Sequence, residues 1–232
     1  MSRITQFSPG PMSEQHIPEG IELSNSGYEL TQDISLTKEQ LAVWTWLVSQ
    51  GISNALRGLS QMVEHEIKVT SLDLKRLPAK NVVSMIGGPD ATAVGIYLTI
   101  EGDATGHLLL LHDIKMAFQL IDIQMGLPHG TTQNIEEMGR SILGEMGNIT
   151  GSFFLNALAD STNLVLMPSP PAVIVDMVGA ILNVPLSVIM QDNDNALVVK
   201  ATFKADGQDM EGVFLVMPTV DFMKTLLDYP RK

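Results

Sequence analysis

Apolar residues recur at helical spacing from Asn134 to about Asp160. At about 100° per residue, one narrow stripe collects apolar side chains that we expect to face the core: Ile135, Met138, Ile142, Met146, Ile149 and Phe153. Asn134 is a favourable N-cap residue, and Glu137 three positions later completes a capping box. The pattern therefore predicts one long helix capped by Asn134.

A second stripe of this helix is polar. Ser141, Glu145 and Asn148 follow one another at i, i+4 and i+7, and the stripe lies about 90° around the helix from the apolar one. Ser152 continues it. Such a stripe is most often a solvated helix face. This one holds no Lys or Arg, which exposed faces usually carry, and it lies beside glycines. Both a solvated face and a binding face remain open at this point.

Glycines occupy the remaining side of the helix, at positions 139, 144, 147 and 151. Each one costs about 0.5–1 kcal/mol relative to alanine in a helix interior. We expect another helix or strand to pack very closely against this side. Local flexibility near a site is the alternative.

The rest of the chain has the same elements twice. The first half is predicted to contain, in order, a helix from Thr37 to about His65, a strand at 67–77, a turn-rich link at 80–90, a hairpin turning at Gly102-Asp103 and a helix at 113–126. After the linker 127–133 and the long helix come a proline-interrupted strand at 164–175, a helix within 176–190 that Pro185 should kink or end, a hairpin turning at Asp206-Gly207 and a helix at 219–229.

This repetition predicts an α+β fold with an internal duplication and a pseudo-twofold arrangement. A half with three strands exposes an apolar face on its own, so we expect one mainly antiparallel sheet backed by the long helices. The halves span about 36–130 and 131–232. Residues 1–35 are polar and rich in Pro and Gly, and we expect a loosely ordered N-terminal arm.

Composition narrows the class of function. The 232 residues are 45% hydrophobic, which predicts a well-filled core, while the net charge of −12 argues against nucleic acid and anionic membrane surfaces as partners. The absence of cysteine excludes disulfides, Cys-ligated zinc and thiol catalysis. We also expect no secretory signal and no membrane insertion. A metal site is not expected either, because none of the histidines pairs with another at the spacing of helical metal ligands.

The motif Ser141-x3-Glu145-x2-Asn148, followed by Pro171 after 22 further residues, resembles the signature of the CheC/CheX/FliY chemotaxis phosphatases. The segments GEMGNITGSFFLNALADSTN and QDMEGVFLVMPTVDFMKTLL are similar to CheC-like proteins in particular. The resemblance covers about residues 36–228 and is most specific in the second half.

The resemblance implies dephosphorylation of a CheY-like response regulator that carries an aspartyl phosphate, in the cytoplasm. Asn148 would hold the attacking water, because a carboxamide both donates and accepts hydrogen bonds. A carboxylate beside a phosphoryl group repels it, so Glu145 is better suited to pair with a basic residue of the regulator, which the family places at a lysine. Ser141 would lie at the edge of the contact and Pro171 would shape the adjacent strand.

The same resemblance bears on cofactors and partners. The protein would need no cofactor of its own, because the regulator would bring the Mg²⁺. The CheY-like regulator is the expected partner, and it can lie outside chemotaxis. A CheD-like protein is a further possible partner.

Some CheC-like proteins carry the Glu and Asn pair on both long helices. Alignment of the first long helix places Trp46 at the Glu position, Ser49 at the Asn position and Ala42 at the Ser position. Tryptophan cannot pair with a cation as a carboxylate does, and serine is shorter than asparagine. The first site is therefore expected to be lost, with Trp44 and Trp46 serving packing or binding.

Two other functions compete with the phosphatase. A non-catalytic adaptor would bind a regulator or another chemotaxis protein without hydrolysis, and the lost first site motivates this alternative. A flagellar switch component like FliY is disfavoured, because the sequence ends near the close of the duplicated region.

Overall fold

The computed structural model describes residues 38–63, 67–192, 195–205 and 208–219, together with Phe222 and Thr225. The helices are α1 (Lys38–Val63), α2 (Ala79–Val82), α3 (Ile114–Met125), α4 (Glu137–Thr162) and α5 (Val178–Asp192), and a short 3₁₀ helix spans Val83–Ile86. The strands are β1 (Ile67–Pro78), β2 (Thr92–Gly102), β3 (Gly106–Asp113), β4 (Leu166–Pro168), β5 (Ala172–Met177), β6 (Asn195–Ala205) and β7 (Gln208–Pro218).

All strand pairs are antiparallel and belong to one sheet of order β1-β6-β7-β3-β2-β4, with β5 also paired to β2. Each half contributes a hairpin to the centre, β2–β3 or β6–β7. Each half also lends its outer strand to the hairpin of the other half: β1 pairs with β6, and β4 and β5 pair with β2. This exchange has the pseudo-twofold form that the repeated sequence order predicts, so the predicted fold class is confirmed.

The duplication is regular along the helix and outer strand of each half. Helices α1 and α4 both have 26 residues, and Glu137 starts its helix 99 positions after Lys38 starts its own. Strand β1 covers 67–78, and β4 and β5 together lie within 166–177, again 99 positions later. A register shift interrupts β1 between Val69 and Ser71, which is where the later half breaks into β4 and β5.

The sheet separates two apolar cores. One core lies between the sheet and α1, α3 and α4, and includes Ile96 and Leu98 of β2. The other lies between the opposite face and α5, and includes Leu109 and Leu215. Because side chains alternate along a strand, adjacent residues of β2 and β3 serve different cores.

Helices α1 and α4 run antiparallel and side by side. The ring of Phe154 lies against Gly51, and the ring of Phe153 lies against Gly58. Asn54 Nδ2 donates to the backbone oxygen of Phe153 over 2.8 Å. The glycines of α1 therefore leave room for the aromatic rings of α4, and the two long helices form one layer over the sheet.

One prediction about α4 is wrong, and another is right only in part. The helix begins at Glu137, its N-cap is Glu136, and no side chain caps it, so Asn134 forms no capping box. The predicted core-facing stripe is right only in part. Met146 is buried and Ile142 packs against the core, but Met138 is 64% exposed. The most buried side lies further round the helix and carries Gly139, Leu143 and Gly147, together with Gly151 and Phe154.

The glycines explain this rotation. A Cβ on Gly151 would lie 3.1 Å from Leu98, one on Gly139 would lie 3.0 Å from Ile121, and one on Gly147 would collide with Ile96. The side of α4 without side chains is the side that approaches the sheet. The expectation of close packing against the glycines is therefore confirmed, and Met138 lies outside this contact on the exposed side of the helix.

Most other predicted elements are confirmed within a few residues. Of the two effects predicted for Pro185, a kink or an end of the helix, the end is wrong, because α5 continues through Pro185 to Asp192. The link at 80–90 contains α2 and the short 3₁₀ helix before the turn at Gly87 and Gly88.

Several predictions fall outside the described residues. These are the arm at 1–35, the Thr37 cap, the end of the first helix at His65, the turn at Asp206-Gly207 and most of the helix at 219–229. Within the part of the chain that the structure describes, no helix has the length and apolar character that a membrane crossing requires.

Candidate functional site

The polar stripe of α4 faces away from the sheet. Ser141 and Glu145 are exposed, and Asn148 and Ser152 are half-buried. Residues three or four apart on a helix have their Cβ atoms about 5–6 Å from each other. The three motif residues Ser141, Glu145 and Asn148 thus form one continuous row on the surface of α4, as the spacing predicts.

Strand β5 and the break before it lie along one flank of this row. A Cβ on Gly144 would lie 3.7 Å from Val173 Cγ2, and one on Gly147 would lie 3.7 Å from Pro171 Cβ. Pro171 therefore sits against the glycine side of α4, at the level of Glu145 and Asn148. The structure brings all four motif positions into one region, although their roles remain a prediction.

A side-chain hydrogen bond closes the break between β4 and β5. Proline has no N–H for the ladder, so Pro170 and Pro171 cannot donate to β2. Ser169 donates its backbone N–H to Thr99 O over 2.9 Å, and its Oγ accepts from Thr99 N over 2.9 Å. The paired ends hold the proline segment beside α4 without a regular ladder.

The electrostatic character of this end of α4 is acidic. Glu136, Glu137 and Glu145 are all exposed. The nearby cation, Arg140, donates from Nη1 to the backbone oxygen of Val173 over 3.2 Å. The side chain of Arg140 is therefore directed towards β5. The motif row itself contains one carboxylate, that of Glu145, and no basic side chain.

The corresponding face of α1 has different chemistry. With the 99-residue offset of the two helices, Trp46 matches Glu145, Ser49 matches Asn148 and Ala42 matches Ser141. Trp46 is half-buried and packs against the core, and Ser49 is half-buried. Equal helix lengths and strand positions support this alignment, so the described part of α1 carries no Glu and Asn pair at these positions.

Trp44 is buried in the core. Its side chain is 1% exposed, and its Nε1 has no hydrogen-bond partner among the described residues. The expectation that this residue serves packing is confirmed.

A buried carboxylate anchors the linker that leads into α4, and the sequence analysis did not find it. Asp122 is 0% exposed and accepts hydrogen bonds from the backbone N–H groups of Gly130, Thr131 and Thr132 at 2.8, 3.1 and 2.9 Å. Burial acts to raise the pKa of Asp122, but these hydrogen bonds outweigh it and leave the pKa below its usual value. A lone acid on the apolar face of a helix, followed by Gly-Thr-Thr, is the signal that could have identified it.

A second buried polar group lies beside a cavity. The cavity has a volume of about 40 Å³, lies between the long helices and the sheet, and is lined mainly by apolar side chains. His112 borders it, and its Nδ1 has no hydrogen-bond partner in the described structure. Burial lowers the pKa of His112 to about 4, although the neighbouring Asp113 acts to raise it.

Among the described segments, no group of three or more His, Asp or Glu side chains is placed to hold a metal ion. The motif row offers one carboxylate and one carboxamide, which suit hydrogen bonding and pairing with a cation.

Comparison with known proteins adds to this geometry. The sequence model of the CheC-like family matches residues 138–175, which include the motif row and Pro171. The curated protein CheY-P phosphatase CheC of Bacillus subtilis strain 168 is 29% identical over 195 residues, which cover 82% of this chain and 93% of that protein.

Solved structures show the same fold. The crystal structure of Thermotoga maritima FliY superposes with a TM-score of 0.66 at 20% identity, covering 84% of this chain and 98% of that one. FliM in a FliM-SpeE complex from H. pylori superposes with a TM-score of 0.60 at 13% identity, covering 84% and 98%. The fold is that of the FliY and FliM domains, and the family model and the Bacillus subtilis relative confirm the predicted resemblance to CheC-like proteins.

Proposed function

We propose that this protein is a phosphatase that hydrolyses the aspartyl phosphate of a CheY-like response regulator. The observation that carries the proposal is the row of Glu145 and Asn148 on the outer face of α4, beside Pro171. The matched family segment includes this row, and the similar Bacillus subtilis protein is named a CheY-P phosphatase. Such a function belongs in the cytoplasm, where response regulators act.

Asn148 is proposed to hold the attacking water. Phosphoryl transfer depends mainly on positioning and charge stabilisation, with little covalent chemistry for the protein to perform. A carboxamide can accept one hydrogen bond from a water and donate another to an acceptor, which orients the water in line with the phosphorus. The half-buried position of Asn148 limits the directions that its side chain can take.

Glu145 is proposed to dock the regulator. Its carboxylate is exposed, and the motif row has no cation that competes for it. A carboxylate next to a phosphoryl group is repelled, whereas pairing with a basic side chain of the regulator orients the two surfaces. Ser141 lies one turn away at the edge of this contact, and the Mg²⁺ that neutralises the phosphoryl charge is proposed to come with the regulator.

An experiment that separates hydrolysis from binding tests these roles. The decay of a ³²P-labelled regulator from the same genome would be followed with Mg²⁺, and the affinity for the same regulator would be measured with beryllofluoride in place of phosphate. We expect Asn148→Ala to lose hydrolysis and keep binding, and Glu145→Ala to lose binding. Equal hydrolysis by wild type and Asn148→Ala would show that hydrolysis does not depend on Asn148 and takes place at another site.

A non-catalytic adaptor is the second candidate, favoured by the α1 face. Trp46 and Ser49 occupy the positions of Glu145 and Asn148, so the duplicated molecule offers one motif row where two are possible. An adaptor would bind the regulator without accelerating phosphate loss. A CheD-like partner also remains a proposal, which co-purification with such a protein from the same genome would test.

A further inference from the structure

Met138 is an exposed apolar side chain at the start of α4. It is 64% exposed, more than the other large exposed apolar residues of the described structure. Complete burial of such a side chain in a contact contributes about 1.5–3 kcal/mol. An exposed methionine needs no special explanation by itself, so its position relative to the motif row decides whether it matters.

Met138 lies on the same face as the motif row. It precedes Glu145 by seven residues, which is two helical turns, so the two side chains differ by only about 20° around the axis and by about 10 Å along it. Ser141 lies between them on the same side. The face of α4 therefore presents an apolar end at Met138 and a polar end at Glu145 and Asn148.

The surroundings define the partner surface that fits. Glu137 and Glu145 are exposed on this part of α4, and Arg140 is directed to Val173 O. A complementary surface carries a basic side chain opposite Glu145 and an apolar patch about 10 Å away, opposite Met138. Continuity with the motif row selects the response regulator as the occupant.

We infer that Met138 is a docking residue that contacts an apolar patch of the response regulator and contributes to affinity and partner choice without taking part in hydrolysis. This inference rests on the proposed function. The carboxylate of Glu145 fixes the position of one end of the contact, and Met138 fixes the other. Two contacts two turns apart define the orientation of a partner along the helix, which a single ion pair does not.

Met167 provides a matched control. It is 55% exposed on β4, while its neighbour Leu166 is buried in the core that α4 covers. Because neighbouring side chains on a strand point to opposite faces, Met167 projects from the face of the sheet away from α4. It matches Met138 in residue type and exposure and differs in location.

The test measures the affinity for a CheY-like regulator from the same genome, activated with beryllofluoride, and the single-turnover hydrolysis of the phosphorylated regulator. We expect Met138→Ala to raise Kd about tenfold while the rate at saturating protein stays the same. Met138→Leu restores most of the affinity because it keeps a large apolar side chain, and Met167→Ala leaves Kd unchanged.

The two readouts separate the inference from the proposed function. A Met138→Ala Kd equal to that of wild type overturns the inference, as does an equal loss of affinity in Met167→Ala. Undiminished hydrolysis by Asn148→Ala overturns the proposed function instead. Absence of regulator binding by the wild-type protein overturns the inference directly.

Discussion

Asn54 Nδ2 donates a hydrogen bond to the backbone oxygen of Phe153, over 2.8 Å, between residues that are 99 positions apart. The same offset relates the starts of α1 and α4. Asn54 and Phe153 are therefore equivalent positions of the two halves, and their contact lies where the pseudo-twofold axis passes between the long helices. The contact belongs to the pairing of the two duplicated helices, of which α4 carries the motif row.

The first prediction concerns this contact. Replacement Asn54→Ala removes the donor to Phe153 O and should lower the free energy of unfolding by about 1 kcal/mol. Urea unfolding followed by circular dichroism would measure the change. Ser152→Ala, a half-buried position on the far side of α4, serves as the control. A variant as stable as wild type would show that the bond contributes nothing to the pairing of the helices.

The second prediction concerns the glycine side of α4. Gly147→Ala places a Cβ against Ile96, whereas Gly144→Ala meets Val173 at an ordinary 3.7 Å. Gly147→Ala should therefore destabilise the protein by about 1–3 kcal/mol, while Gly144→Ala should stabilise it by about 0.5–1 kcal/mol through helix propensity.

Thermal unfolding of both variants checks this sign difference. The double variant Gly147→Ala with Ile96→Ala should lose less stability than the two single variants lose in sum, because the smaller side chain at 96 relieves the clash. Equal effects of the two glycine changes would contradict the close packing of Gly147 on the sheet.

The third prediction concerns the linker before α4. Asp122→Asn removes the charge that three backbone N–H groups stabilise, and should cost on the order of 2 kcal/mol at neutral pH. The folded pKa of Asp122 is lowered, so the stabilisation is present above the unfolded pKa and is lost as pH falls through the folded pKa.

Denaturant unfolding of wild type and Asp122→Asn between neutral and acidic pH would show this dependence. The stability difference between them should shrink as pH falls. Asp160→Asn, on the exposed side of α4, is the control for the removal of one carboxylate charge. A difference that stays constant with pH would contradict the role of the carboxylate.

The fourth prediction concerns His112. Its folded pKa of about 4 lies below the usual value of 6.5, so the unfolded state binds more protons between these values and stability falls as pH is lowered through that window. His112→Leu removes the titrating group and should flatten this part of the profile.

Thermal unfolding of wild type and His112→Leu from pH 7 to pH 4 measures the effect. Among the described residues, the apolar lining of the cavity and the backbone of Gly212 lie beside the imidazole, and the adjacent Asp113 is the carboxylate that acts to raise its pKa. Parallel profiles for the two proteins would show that His112 is not the group responsible.

Most of the fold could be predicted from the sequence, because the same order of helices and strands occurs twice along the chain. Alternation of apolar and polar residues predicted the strands of the hairpins, and the prolines at 168–171 predicted the break between β4 and β5. The rotation of α4 could not be predicted from hydrophobicity, because Gly147 and Gly151 contribute to burial by permitting contact and carry no apolar side chain. The hydrophobic pattern consequently predicts Met138 in the core, whereas the structure exposes it.

The motif row was predicted correctly as a row, since helical spacing alone places Ser141, Glu145 and Asn148 on one side. The neighbourhood of Pro171 depends on the packing of β5 against α4, which the resemblance implied and spacing did not. Asp122 was missed because its partners at 130–132 are backbone N–H groups, so the lone acid and the Gly-Thr-Thr that follows it are the signals in the sequence.

The most direct test of the central claim compares Asn148→Ala with Asn156→Ala. Both replace an asparagine on the outer side of α4, but Asn156 is exposed two turns beyond the motif. In the decay of a phosphorylated CheY-like regulator, Asn148→Ala should lose about 100-fold or more of the acceleration, while Asn156→Ala should retain it. Equal acceleration by both variants would contradict the assignment of the phosphatase site to the α4 row.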